Sequence, residues 1–351
     1  MIECVEAEIR DRCRTVSVAE RCNQPDAPAG AARDDSARAR LVRRVNQLYH
    51  DLTQDVFDVE HRYRHRVERS FWHDVSRMLG DNDGVVAGRT VVDLACGTGF
   101  VTQILAEAMH PQDRLIAIDI SPAALDSAAR KCRPHRLQQA VADGARLPLA
   151  DESVDLFAIN AALHHMPDPI GVLQEVDRVL KPAGLFALGF EPNLHHFRSP
   201  MARVAHGVDR LAWYANPRQN VRRFRAYLGL GGQDASCESD RAVCRMISEC
   251  LQSEGLIDEP LNPAAILDMV DAHARGAAEH AGFDAVALIE ALFPKYELIR
   301  LVSSDYLGEA PRRFRPVRSA LDAVLRMMLP AHGSLFSMVV RKCVRGEEQA
   351  P

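Results

Sequence analysis

The chain has almost no lysine. Of its 43 basic residues only Lys131, Lys181, Lys295 and Lys342 are not arginine, which reads as a coding bias and not as chemistry. It also lacks a strong charge imbalance: 43 basic against 48 acidic residues leave a formal net charge of −5 and a pI near 6.3. No global basic field therefore points to nucleic acid or to an anionic membrane. No apolar run approaches the ~20 residues that span a bilayer, and Met1 to Arg14 has no apolar core of the signal-peptide kind. A cytoplasmic protein is expected. The nine cysteines are an odd, scattered set. Cys4, Cys13 and Cys22, like Cys237, Cys244 and Cys250, lack the short separations of zinc clusters. Neither a disulfide framework nor a metal site is expected, and the thiols should be free. Aromatic residues make up only 6%. The arginine clusters Arg222, Arg223, Arg225 and Arg312, Arg313, Arg315, Arg318 are thus not interleaved with the many rings that a base-stacking platform needs.

What is present is an ordinary globular composition, 47% hydrophobic and 26% charged over 351 residues, enough for one large domain or two smaller ones. The chain is organised around Val91-Val92-Asp93-Leu94-Ala95-Cys96-Gly97-Thr98-Gly99-Phe100. An apolar run ends in an acid, passes through small residues and enters a periodic helix near Phe100, which is the pattern of strand, tight turn and helix. The glycines let backbone approach a ligand, and the helix start offers unpaired N–H groups. A dinucleotide fold requires G-x-G-x-x-G, but Phe100, Val101 and Thr102 follow Gly99, so the third glycine is missing. A pyrophosphate would also sit poorly beside Asp93, whereas a cationic ligand would not.

Three further landmarks repeat the theme. Leu115 to Asp119 is a second apolar strand ending in an acid, with Ile120 behind it; Val141-Ala142-Asp143-Gly144 ends a third; Ser153 to Asn160 is a fourth, followed by Leu163-His164-His165-Met166-Pro167-Asp168-Pro169. Each polar residue falls past the carboxyl end of a strand, where open parallel sheets bind ligands. With these residues the chain resembles class I S-adenosylmethionine-dependent methyltransferases of the small-molecule type, firmly over residues 41–192 and loosely over 281–343. Ala95 stands where that family usually has its first glycine. The resemblance implies S-adenosyl-L-methionine as cofactor, held by Asp93, Ala95, Gly97, Thr98, Gly99, Asp119, Ile120, Asp143, Gly144 and Asn160. Asp93 and the following backbone would meet its amino-acid end, Asp119 the ribose hydroxyls and Asp143 the adenine amino group.

The organisation expected is a polar tail over residues 1–38, an N-terminal helical lid over 39–85, a cofactor-binding core over 86–193, a helical insertion capping the substrate over 194–280, and the rest of the core sheet with one added helix over 281–346. Strand–helix alternation predicts an α/β fold with a doubly wound, mostly parallel sheet, which the resemblance makes seven-stranded. In the lid, Leu41, Val45 and Leu48 share one face, and Phe71, Val75 and Leu79 repeat every four residues. The segment between them resembles the lids of small-molecule methyltransferases, which makes Tyr49, His50, Asp51 and Phe57 candidates for covering the site.

His164 and His165 are the candidate catalytic residues: they follow the fourth strand, and imidazole titrates near neutrality. They serve either as a general base or only as pocket walls. His195 and His196 form a second pair, but adjacent side chains diverge on regular elements, so no metal site is expected from either pair. Base-methylating relatives usually carry an Asn/Asp-Pro-Pro-aromatic turn where this chain has Asn160-Ala161-Ala162-Leu163, so the acceptor expected is a small organic molecule, of secondary-metabolite or lipid-like type, and not nucleic acid. The residues do not separate O-, N- and C-methylation, and they leave the oligomeric state open. Alternatives are a protein that binds the cofactor without methyl transfer and, disfavoured by the missing glycine, a nicotinamide-dependent oxidoreductase.

Overall fold

The computed structural model describes residues 37–60, 62–80, 88–133, 135–199, 235–271, 282–285, 287–288, 295–304, 306, 315–328 and 332–344. The expected tail and the link at 80–88 fall almost wholly outside them, as does much of the insertion. Two helices open the described chain, α1 (Ala37–Glu60) and α2 (Arg62–Gly80). The alternating core follows: β1 (Thr90–Leu94), α3 (Phe100–Ala108), β2 (Arg114–Asp119), α4 (Pro122–Lys131), β3 (Leu137–Val141), β4 (Val154–Asn160), a short 3₁₀ turn (Leu163–His165), α5 (Pro169–Val179) and β5 (Leu180–Pro192). Then come α6 (Leu194–Arg198), α7 (Ala235–Ser253), α8 (Pro263–Val270), β6 (Tyr296–Ser304), α9 (Arg315–Met328) and β7 (Leu335–Lys342).

The seven strands form one sheet in the order β3-β2-β1-β4-β5-β7-β6. The first five pair in parallel, and β7 runs antiparallel to both its neighbours, as the expected mostly parallel α/β sheet requires. The central strands read as unbroken apolar runs because both faces are covered. Val92, Leu94, Phe157, Ile159, Phe186 and Leu188 point to the side of α5. Val91, Leu156, Ala158, Leu185 and Ala187 point to α2 and α3. Lys181-Pro182-Ala183-Gly184 lies within β5. The strand absorbs it by a register shift against β4 and a left-handed Ala183 at φ 62°.

The first helix packs against the described helices of the insertion. Val45 and Leu48 of α1 bury themselves among Val243, Ile247 and Leu251 of α7 and Ile266 and Val270 of α8, a third apolar cluster apart from the sheet. Asn46 Nδ2 donates to the Met269 carbonyl at 3.1 Å, and Arg44 pairs with Glu254 at 2.5 Å. This helical cap is tied to the core: Ser121 Oγ donates to Asp51, Ser127 Oγ donates to Gln54 at 2.8 Å, and Arg43 meets Asp143 at 2.6 Å. By contrast, Leu321, Val324 and Met328 of α9 are exposed.

Gly99, at φ 86°, is the N-cap of α3. A Cβ there would lie 2.7 Å from the backbone of Ala128 in α4, so this glycine serves helix packing and not ligand approach. Gly99→Ala is expected to destabilise the chain by about 2–4 kcal/mol, from left-handed strain plus a backbone clash, read as a lower urea midpoint. A loss under about 0.5 kcal/mol would contradict the packing role.

Candidate active site

A cavity of about 400 Å³ opens at the carboxyl ends of β1 to β4, roofed by the cap. Its lining includes Asp93, Ala95, Gly97, Thr98, Asp119, Ile120, Asp143, Gly144 and Asn160, so the strand-end residues singled out in the sequence converge on one space. Gly99 does not line it. Tyr49 and His50 do. Asp51 is turned instead to Ser121 at the start of α4, and the side chain of Phe57 lies outside the described residues.

The turn between β1 and α3 is built for close approach. Gly97 has φ 50° and nothing within 4 Å of where a Cβ would stand, so a ligand can lie against its backbone. Its N–H donates to Asp119 Oδ2 at 2.9 Å, while Ser121 N–H donates to Oδ1, also at 2.9 Å. Asp119 is thereby fixed at the tip of β2. Asp93, 1% exposed, accepts from Thr102 Oγ1 at 2.6 Å. Ala95 has φ 53°, a left-handed backbone that glycine adopts without strain and alanine does not.

Burial raises both carboxyls. Asp93 is pushed up to about 7 by desolvation, opposed by the Thr102 hydroxyl and reinforced by the charge of Asp119. Asp119 is pushed up to about 6 by desolvation, opposed by the N–H groups of Ser121 and Gly97 and reinforced by Asp51. Buried acids in this state favour a positively charged or hydroxyl-donating ligand, which lets both ionise with a partner. The residues fit the amino-acid and ribose ends of S-adenosylmethionine on these grounds. The expected adenine acid, Asp143, also accepts from Ala145 N–H at 3.1 Å and holds the cap through Arg43.

Several site residues were not evident in the sequence. Asn160 Oδ1 accepts from the indole N–H of Trp72 at 2.8 Å and its Nδ2 donates to Glu68 at 3.3 Å, both on α2. Glu191, fully buried, accepts from the Ala162 and Leu163 N–H groups at 2.8 and 2.9 Å and meets His164 Nδ1 at 2.8 Å. His165 Nδ1 lies 2.5 Å from the Val270 carbonyl. The imidazoles of His164 and His165 are 4.0 Å apart, inclined by 43°. The expectation that neighbouring histidines diverge therefore fails here: the 3₁₀ turn and the two Nδ1 acceptors hold both rings on one wall. Glu191 stands two residues before Asn193, the N-cap of α6.

Two outcomes follow. Ala95→Gly should raise stability by about 0.5–1 kcal/mol by relieving the left-handed backbone, after the extra freedom of the unfolded glycine is discounted; a thermal-denaturation midpoint that falls would contradict it. Because both acids have raised folded-state values, their stabilising contribution is complete below about pH 4 and is lost as pH rises through about 6 and 7. A ligand that requires them ionised must bind more tightly across the same window. Affinity for S-adenosylhomocysteine should thus rise from pH 5 to pH 7.5 with proton release, seen by calorimetry in buffers of different ionisation heat. Asp119→Asn should flatten the profile; a flat wild-type profile would refute the assignment.

Comparison with known proteins agrees with this geometry. Residues 92–188 match the family model described as a methyltransferase domain. A demethylmenaquinone methyltransferase of Lactobacillus johnsonii is 39% identical over 104 residues, 28% of this chain and 43% of that protein. The protein of the same name from Staphylococcus aureus is 31% identical over 156 residues, 43% of this chain and 61% of that protein. The chain thus spans about half the length of these relatives. A solved S-adenosylmethionine-dependent methyltransferase from Mesorhizobium loti is 16% identical over 77% of this chain and 96% of its own, with a TM-score of 0.42. Residues 92–188, which run from β1 into β5, are thus similar to a methyltransferase domain.

Proposed function

We propose that the chain transfers a methyl group from S-adenosylmethionine to a small organic acceptor bearing a hydroxylated ring. The observation that carries this reading is the arrangement of the cavity: buried acids at the strand tips on one side, and on the other a wall of Tyr49, His50, His164, His165, Leu267 and Val270. The bound cofactor supplies an activated methyl group on a positively charged sulfur that is itself a good leaving group. The chain's own task is then positioning and exclusion of water, worth about 7–11 kcal/mol in favourable cases. Asp119 and the backbone at Gly97 set the depth of the nucleoside end, and Asp93 sets the other end. Asn160, braced by Trp72 and Glu68, lines the wall between them and the histidines.

A wall of phenol, imidazole and aliphatic side chains suits a ring better than a peptide. The relatives' name supports a ring-bearing acceptor, since demethylmenaquinone is a quinone, which carries ring hydroxyls in its reduced, quinol form. His164 and His165 face the acceptor and assist loss of its hydroxyl proton. Glu191 orients His164, because a buried carboxylate held by backbone N–H groups fixes the ring it bonds. The cap, contributed by α1 and the 263–271 segment, closes the acceptor side. No described helix is long and apolar enough to cross a membrane.

The test is release of S-adenosylhomocysteine from S-adenosylmethionine with 1,4-dihydroxynaphthalene, catechol and a peptide as acceptors. Turnover is expected with the ring compounds only. His164→Ala and His165→Ala should each lower it about 10²–10⁴-fold while binding of S-adenosylhomocysteine is nearly unchanged. Full turnover in both variants would remove the histidines from the reaction, and turnover on the peptide alone would overturn the acceptor class.

A further inference from the structure

We infer that His164, His165 and Asp271 form a binding site for a first-row divalent metal ion, placed to hold the acceptor's oxygen. One ligating atom from each of the three lies within 4.8 Å of the others, and all three line the cavity. Asp271, at the end of α8, holds its carboxylate beside the His165 ring, with Oδ1 3.5 Å from Nδ1. Ligand atoms around a tetrahedral ion with bonds of about 2.0–2.1 Å stand closer than the 4.8 Å of this cluster, so a turn of that carboxylate toward the Nε2 side of the ring completes the set.

The surroundings of the histidines match what metal sites require. Metal-bound imidazoles nearly always donate the other ring nitrogen to a carboxylate or a backbone carbonyl, which fixes the tautomer and the ring plane. Here His164 Nδ1 meets Glu191 at 2.8 Å and His165 Nδ1 meets the Val270 carbonyl at 2.5 Å. Glu191 itself has almost no freedom, since it is fully buried and accepts from the Ala162 and Leu163 N–H groups. With Nδ1 acting as donor, each ring carries its lone pair on Nε2. Two imidazoles and one carboxylate suit Zn²⁺, Co²⁺, Fe²⁺ or Mn²⁺ better than Ca²⁺, which takes six to eight oxygens.

Three protein ligands leave coordination positions open to the cavity, as in catalytic sites. A hydroxyl bound there loses its proton more readily: the O–H pair stays on the oxygen held by the ion, and the proton passes to solvent water. This deepens the methyltransferase reading and rests on it, because it assigns the means by which the two histidines assist the acceptor. It also links cap to core, since Asp271 follows α8 while the histidines follow β4.

The experiment uses the full chain, free of any affinity tag and stripped with a chelator, titrated with Co²⁺ and followed by visible absorption. S-adenosylhomocysteine binding is measured in parallel by calorimetry. One equivalent of Co²⁺ should bind with a d–d band that Zn²⁺ displaces. Asp271→Ala and His165→Ala should each weaken uptake at least tenfold with an unchanged circular dichroism spectrum, whereas His195→Ala, outside the cluster, should not. If either alanine variant fails to fold, Asp271→Asn or His165→Gln takes its place with the same expected loss. Absence of the band in the wild type, or equal uptake by the folded Asp271 variant, overturns the site. Failure to bind S-adenosylhomocysteine would instead defeat the methyl-transfer reading, so the two failures are distinguishable.

Discussion

The structure turns on carboxylates buried at strand tips with no basic side chain paired to them among the described residues. Asp93 and Asp119 are 1% and 6% exposed, and hydroxyl and N–H donors are what hold them. Burial alone makes such groups costly when ionised. The sheet nevertheless brings them close, because β1 and β2 are adjacent and parallel, with Asp93 opposite Ala117, two residues before Asp119. A ligand bearing positive charge at one end and two hydroxyls further along converts that cost into binding energy. This constraint explains why the turn at Gly97 must be open, why the helix behind it is packed through Gly99, and why a cap is needed to keep water out.

The cap extends the same logic to the acceptor. Its apolar cluster is separate from the two clusters of the sheet, and its links to the core are polar: Asp51 to Ser121, Gln54 to Ser127 and Arg43 to Asp143. Polar, partly exposed links are individually weak. A cap held this way can loosen without disturbing the sheet, as a chamber that must admit a ligand requires. Two of the three links bear directly on strand-tip residues or their neighbours, so cofactor and cap meet at the same places.

Much of this was legible in the sequence because it is local. Apolar runs ending in Asp93, Asp119 and Asn160 mark both a strand and the point where it stops, and the spacing of one helix between them fixes the parallel order. The cofactor side of the cavity followed directly from those residues. On the opposite wall Tyr49, His50, His164 and His165 were legible too, but the groups that hold the site's side chains in place were not. Glu191 reaches His164 from 27 positions away, Trp72 reaches Asn160 from 88, and Val270 reaches His165 from 105. Each is an unremarkable residue in its own segment and gains meaning only when the sheet closes. The histidine pair was misjudged for the opposite reason: a rule for regular helices and strands was applied to a 3₁₀ turn, where two outside acceptors set the rings.

The central claim is that the strand-tip acids bind one nucleoside with a positively charged end. Isothermal titration of the purified chain with S-adenosylhomocysteine and, separately, with NAD tests it most directly. The account predicts saturable one-to-one heat for the former, abolished in Asp93→Ala, and none for NAD. Heat from NAD alone, or none from either, would contradict it.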